Sequence, residues 1–255
     1  MTIAELQVYS VEEADVSGGV CIVRCVGGVA RTGQVYAAAG ARAVLRRIEW
    51  YGRDVKALDA AHSAKVHLSG AIVPLLGRFQ VISSIPVGAL SLADAEFWLA
   101  DGAPPAEEQD LHTLRALGSG RMQDERLPEA ERIRWARIQL AAIERMGLAP
   151  LVAAIDSAQV RAYLIRYLGP GTGTGDGLRD PVGLCRFVLD RIGIGPDEAL
   201  RDGRVWRDLE PERILRLRRL KLLTASLDAA RPHLADGDRL GAAVDAWLRV
   251  RKELP

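Results

Sequence analysis

Over its first ninety residues the chain sets short apolar runs against polar positions at a period of two, with glycine between the runs. From residue 91 onward the period lengthens to that of helices. Runs rich in Val, Ile and Ala predict strands over residues 20–26, 33–37, 43–49, 54–57, 64–68 and 78–83. On the first of these, the alternation places Cys21, Val23 and Cys25 on one face. Gly18-Gly19 and Gly27-Gly28 supply the positive φ angles that tight connections and bulges need. Several short strands at this spacing favour a small antiparallel β-barrel over an open sheet, because closure removes exposed edges.

The helical half opens at Ser91, which precedes an acidic first turn with Asp94 three residues on, and the pattern continues as a short helix over 93–99. Gly102 and Pro104-Pro105 break it, so residues 86–106 join the two parts. Residues 128–146 form the strongest helical pattern: Ile133, Ala136, Leu140 and Ile143 share a face, Pro128 lies near the first turn and Gly147 beyond the end. Further helices are expected over 149–168, 181–192, 196–201, 211–230 and 238–254, with Pro181, Pro196 and Pro211 each in a first turn, where a missing amide is tolerated. The glycine-rich stretch 169–180 reads as a connection. It follows a helix and lacks the lysine that a phosphate-cradling loop would need. The fold class is therefore multi-domain β + α, with a β-barrel domain over residues 1–90 and an all-α domain of six or more helices over 91–255.

The order of the β segments resembles the second, β-barrel domain of translational GTPases such as elongation factor Tu. The stretches that carry the resemblance are Gly28-Val29-Ala30-Arg31-Thr32-Gly33-Gln34-Val35, then Val44 to Ile48 with Gly52, then Ala60 to Leu68, then Leu76 to Val81, within residues 5–88. His62-Ser63 stands where that family usually has Gly-Asp. The resemblance implies a translation-factor-like barrel that acts as a binding surface for tRNA, ribosome or protein. GTP hydrolysis is not expected to come with it, since these residues include no GTPase domain ahead of the barrel and no Gly-x-x-x-x-Gly-Lys-Ser/Thr loop.

Composition narrows the function classes. At 255 residues, 49% hydrophobic and 26% charged, the chain has the make-up of an ordinary globular protein with one or two cores. Its net charge is +1, split as 9 basic against 7 acidic residues over 1–90 and 25 against 26 over 91–255. Neither part has the strong basic excess of a non-specific nucleic-acid binder. An acidic N-terminus, three cysteines and no long apolar run give the expectation of a cytoplasmic protein with no membrane partner.

Two groups of residues are candidate partner contacts. Trp50-Tyr51, just before Gly52, falls in an expected hairpin turn, where an aromatic pair is hard to bury and can serve as a binding tip. Arg213, Arg216, Arg219 and Lys221 line the outside of an amphipathic helix whose buried stripe is Ile214, Leu217, Leu220 and Leu223. Asp208, Glu210 and Glu212 are available to neutralise it, and no aromatic residue interleaves with the arginines. The four histidines form no metal-binding spacing, and Cys21, Cys25 and Cys185 read as small core residues, so no catalytic, metal or cofactor residue is assigned. Trp98 is the expected anchor between barrel and helices.

The reading that follows is a non-catalytic cytoplasmic protein that binds a macromolecular partner, either a protein or tRNA/ribosome, or forms one subunit of a larger assembly. The alternative is an enzyme whose site lies in a cleft between barrel and helical domain, drawn from dispersed residues such as Arg24, Glu49, His62, His112 and Asp180.

Overall fold

The computed structural model of the protein describes residues 3–38, 40–171 and 177–255. An N-terminal closed β-barrel is followed by a run of α-helices. The chain divides into two compact units, Met1–Ala142 and Ile143–Pro255, with the division falling inside a long helix rather than at the change from strand to helix after residue 90. Of the expected loop over 169–180, residues 172–176 lie outside the described residues, and Gly177–Arg179 forms one 3-10 turn.

In the first unit the strands are β1 (Glu5–Asp15), β2 (Gly18–Gly27), β3 (Val29–Arg31), β4 (Val35–Ala38), β5 (Ala41–Trp50), β6 (Arg53–Val55), β7 (Ala57–Asp59), β8 (Ser63–Ser69) and β9 (Val81–Ile85). Six of the seven strands in the main sheet run in the order β4-β9-β1-β2-β8-β5, and pairing of β5 back to β4 closes the barrel. Every pairing is antiparallel. Strand β6 extends β5 as a hairpin, while β3 and β7 form a separate two-stranded ribbon. The inward face follows the period of two: Cys21, Val23 and Cys25 of β2 and Ala64, Val66 and Leu68 of β8 are buried, together with Leu6, Val8, Leu45, Ile48 and Ile82. The expected strand over 54–57 is in fact two short ones, β6 and β7, belonging to different ribbons. Strand β1 carries no expectation, because its second half, Val11 to Asp15, is acidic and mostly exposed where it runs past the barrel wall with β2.

Three helices complete this unit: α1 (Leu92–Asp101), α2 (Glu108–Gln123) and α3 (Glu129–Arg145), the last extending past the division. Ser91 caps α1 as its sequence implies, its Oγ accepting from the Asp94 N–H at 3.2 Å, and the Asp94 carboxylate closes the box. Asp94 also takes Arg42 of β5, and Asp101 at the other end of α1 takes Arg46 of β5 at 2.7 Å and the Ser69 hydroxyl. The helix is thereby tied at both ends to the outer face of the barrel. Between the ties Trp98 is buried, and its indole N–H donates to the Gly33 carbonyl at 2.9 Å. Gly33 sits at φ +91, where a Cβ would come within 2.2 Å of the Pro104 carbonyl oxygen, so the chain leaving α1 passes directly over it. Helix α2 lies in a stretch with no expected element. Two glycines weaken its helical pattern, and one of them, Gly118, is where α3 comes closest: a Cβ there would be 3.1 Å from that of Gln139.

The second unit contains α4 (Pro150–Leu168), α5 (Pro181–Ile192), α6 (Pro196–Gly203), α7 (Pro211–Ala225), α8 (Leu227–Ala230) and α9 (Arg239–Glu253). The expected single helix over 211–230 breaks at Ser226 into α7 and α8. Ile155, Leu184, Cys185, Val188, Leu217, Leu223, Val244 and Trp247 form its core. Arg231 holds α9 through a two-pronged pair to Asp245 at 2.7 and 3.0 Å, and Arg251 of α9 pairs with Asp228 of α8.

Candidate functional site

Strands β5 and β6 pair through Trp50 and Arg53, leaving only Tyr51 and Gly52 to turn the chain. A two-residue hairpin of this kind needs both central residues left-handed, and here φ is 49° at Tyr51 and 74° at Gly52. Glycine adopts that conformation freely. A tyrosine does so at a cost, and Asn or Asp is the ordinary choice for the first position. The side chain gains little burial in return, because Tyr51 is 91% exposed.

Behind it Trp50 is 37% exposed, its ring 5.2 Å from that of Tyr51 and 5.6 Å from that of His62, which it meets edge-on at 86°. His62 is held by the barrel wall. The Cys25 N–H donates to the His62 carbonyl at 2.9 Å, and the Ala61 N–H donates to the Cys25 carbonyl at 2.8 Å. To make that turn Ala61 takes φ 70°. Among the described residues three non-glycine positions have positive φ, Tyr51, Ala61 and Phe79, and two of them set this aromatic trio in place. Strain of this kind persists only where the surrounding structure enforces it, and it concentrates at functional sites.

The charges around the tip are partly tied down. Arg47 pairs with Asp54 at 2.6 Å and Glu49 at 3.7 Å, and the hydrogen bond it donates to the Asp54 carboxylate pushes the arginine's affinity for its proton up. Arg24 and Arg53 are exposed and have no carboxylate at ion-pair distance among the described residues. The hairpin therefore presents two large aromatic rings, an imidazole and guanidinium groups, the residue types that dominate binding hot spots. Trp50 and Tyr51 are visible in the sequence as an exposed pair. His62 joins them only through the register of β8 with β5 and β2, which no local pattern reveals.

The basic helix α7 does not present its four candidate residues as one patch. Arg213 pairs with Asp202, and with Arg216 it lines a groove of about 740 Å³ floored by Leu151, Ile192 and Leu217. Glu210 and Glu212 lie on the same groove. Lys221 donates from Nζ to the Leu254 carbonyl at 2.8 Å, and Arg219 is half-buried. Leu217, Leu220 and Leu223 form the buried stripe, while Ile214 is only half-buried.

A smaller cavity of about 250 Å³ lies in the first unit, walled by Val29, Val35, Ile85, Leu90 and Trp98. At its mouth Arg31 stands 3.6 Å from Glu107. Asp110 is buried there and caps α2, accepting from the Glu107 N–H at 2.9 Å; burial pushes its carboxyl up from the usual range. None of Arg24, Glu49, His62, His112 and Asp180 lines this cavity or the groove on α7. Asp180 is the N-cap of α5, accepting from the Val182 N–H at 3.0 Å, and His112 is exposed on α2. Among the described residues no three His, Cys, Asp or Glu side chains gather as metal ligands, and no helix is long and apolar enough to cross a membrane. The three thiols are buried and unpaired in disulfides; burial pushes those of Cys21 and Cys185 up to about 11.

No protein family and no curated protein matches the sequence. Among solved structures, the crystal structure of GDP-bound aIF5B from Aeropyrum pernix aligns over 55% of this chain and 23% of its own, at 13% identity and a TM-score of 0.31. The chain thus spans less than a quarter of that structure, and a likeness this slight carries no argument about fold or function.

Proposed function

We propose that the protein is a non-catalytic cytoplasmic binding protein whose barrel engages a macromolecular partner through the β5–β6 hairpin tip. The observation that carries this reading is Tyr51, almost wholly exposed in a conformation that costs about 1–2 kcal/mol for a side chain of its kind. Folding alone offsets only part of that cost, through the ring contact with Trp50, whereas a partner that buries Tyr51 together with Trp50 and His62 offsets the rest. The rings supply apolar area on stiff side chains, so little conformational entropy is lost when they are covered. Arg24 and Arg53 orient an approaching group of opposite charge. The strand order that resembles the barrel of translational GTPases adds RNA and the ribosome to protein as the partner classes to be tested. The buried free thiols fit a reducing compartment.

The test is affinity purification of the tagged protein at two salt concentrations, with and without nuclease, beside the double variant Trp50→Ser/Tyr51→Asn. A partner retained by the parent protein and lost from the variant supports the reading, and its sensitivity to nuclease assigns the class. The same partners on both baits would contradict it. So would turnover of any substrate that disappears on changing one polar side chain.

A further inference from the structure

Helix α7 carries two apolar faces. The first, Leu217, Leu220 and Leu223, is buried in the core of the second unit. The second lies almost opposite: Leu215 and Leu222, two turns apart on the helix, are 48% and 49% exposed. Beside Leu222, helix α4 presents Tyr163 and Tyr167, whose rings stand 4.5 Å apart at 34°. These side chains line a shallow groove of about 260 Å³. Tyr167 is itself 58% exposed.

Past the first turn of α7, where Glu212 stands, this strip is flanked by positive charge. The helical repeat places Arg218 and Arg219 on either side of the line from Leu215 to Leu222, and Arg166 of α4 lies in the wall of the groove. Among the described residues none of these three has a carboxylate at ion-pair distance. A helix already packed on one side needs no second row of leucines, and a solvated face ordinarily balances its charges. Half-exposed leucines at a two-turn spacing supply apolar anchors, and guanidinium groups on both flanks select an acidic partner and fix its direction. Leu215 and Leu222 gain little from the face of a nucleobase, and with Tyr163 and Tyr167 packed on each other, this favours a polypeptide over RNA.

We propose that the α4–α7 face docks an acidic amphipathic helix of a partner protein. The apolar residues of that helix, one and two turns apart, rest on Leu215, Leu222 and Tyr167, and its flanking Asp and Glu side chains meet Arg166, Arg218 and Arg219. This site is separate from the hairpin tip, and its test is independent of that reading.

The experiment selects binders to the whole protein from a displayed library of random peptides about 16 residues long, some 24 Å as a helix. The expected products carry apolar residues at helical spacing flanked by Asp and Glu. Their affinity, measured with labelled synthetic copies, falls about tenfold or more in Leu215→Ser/Leu222→Ser and in Arg218→Glu/Arg219→Glu. Lys-for-Glu copies recover binding to the charge-reversed variant. Leu215, Leu222 and Arg218 are exposed and Arg219 is half-buried, and unchanged thermal melting confirms that the variants fold. Selected peptides that lack the acidic, apolar pattern, or that bind both variants as well as the parent, overturn the proposal. Two further outcomes also overturn it: labelled oligouridylate that binds the parent and is lost from the charge-reversed variant assigns the face to RNA, and self-association lost on changing the leucines assigns it to a second copy of this chain.

Discussion

Replacing Tyr51 by Asn separates what the hairpin tip contributes to folding from what it contributes to binding. The left-handed backbone at this position costs a tyrosine about 1–2 kcal/mol, most of which Asn avoids because its short polar side chain is tolerated there and is preferred in turns of this type. Against that gain stands the ring contact with Trp50, 5.2 Å away, worth about 0.5–1 kcal/mol at an exposed site. The balance is a stabilisation of about 0.5–1 kcal/mol, which in a chain of this size raises the midpoint of thermal unfolding by roughly 1–4 °C. Scanning calorimetry reads the shift directly, and urea unfolding followed by far-UV circular dichroism gives it independently, each transition being assigned to its unit before comparison. Partner retention in the purification experiment is expected to fall at the same time. A variant that melts lower than the parent would refute the reasoning, because Tyr51 would then belong to the packing of the fold and its conformation would need no functional account.

Other consequences follow from the clamps and buried groups. Gly33→Ala places a methyl group 2.2 Å from the Pro104 carbonyl oxygen at φ +91, and a loss of about 2–4 kcal/mol is expected in urea titrations, at the severe end for single substitutions. Trp98→Phe removes the indole N–H that donates to the Gly33 carbonyl and should cost about 1–3 kcal/mol by the same measurement. Arg231 holds the Asp245 carboxyl below the usual range, and Arg126 brings Asp124 down to about 2. Their stabilising contribution is therefore complete above the unfolded carboxylate values of about 4 and lost as pH falls through the depressed folded values. Acid unfolding curves should show this limb reduced in Asp245→Asn. Asp110 has the opposite sign: burial raises its carboxyl, so its ionised form costs stability as pH rises through the folded value. Asp110→Asn keeps an acceptor for the Glu107 N–H and is expected to be neutral or stabilising at pH 7, an advantage that shrinks on acidification. The buried thiols of Cys21, Cys25 and Cys185 should react with a disulfide reagent far more slowly in the folded protein than in denaturant.

The barrel is legible in the sequence because closure forces an alternation that survives in β2 and β8, where Cys21, Val23 and Cys25 or Ala64, Val66 and Leu68 face inward. Strand β1 escapes because its outer half is stabilised by pairing with β2 rather than by burial, so acidic residues occupy it without penalty. Helix α2 escapes for a related reason. Gly118 lowers its intrinsic helicity, and the compensating contact with Gln139 of α3 is visible only once the two helices are side by side. The expected helix over 211–230 breaks at Ser226, whose N–H donates to the Leu223 carbonyl three residues back, an outcome no periodicity specifies. At the candidate tip, Trp50-Tyr51 before glycine announces a hairpin, while the placement of His62 depends on the register of β8 against β2 and β5. The arginines of α7 were readable as a row, but their separation into a groove-lining pair, a lysine turned to the Leu254 carbonyl and a flank of Leu215 and Leu222 depends on which neighbours cover each side of the helix.

The central claim, that the hairpin tip is the contact with a partner, is tested most directly by placing a photo-crosslinking phenylalanine analogue at position 51 in the protein's native cells. The control is the same analogue at Val16, which lies at the turn between β1 and β2 and is 87% exposed. The account predicts a discrete crosslinked species from position 51, protein or RNA, that is absent from position 16. An identical, diffuse background from both positions would contradict it.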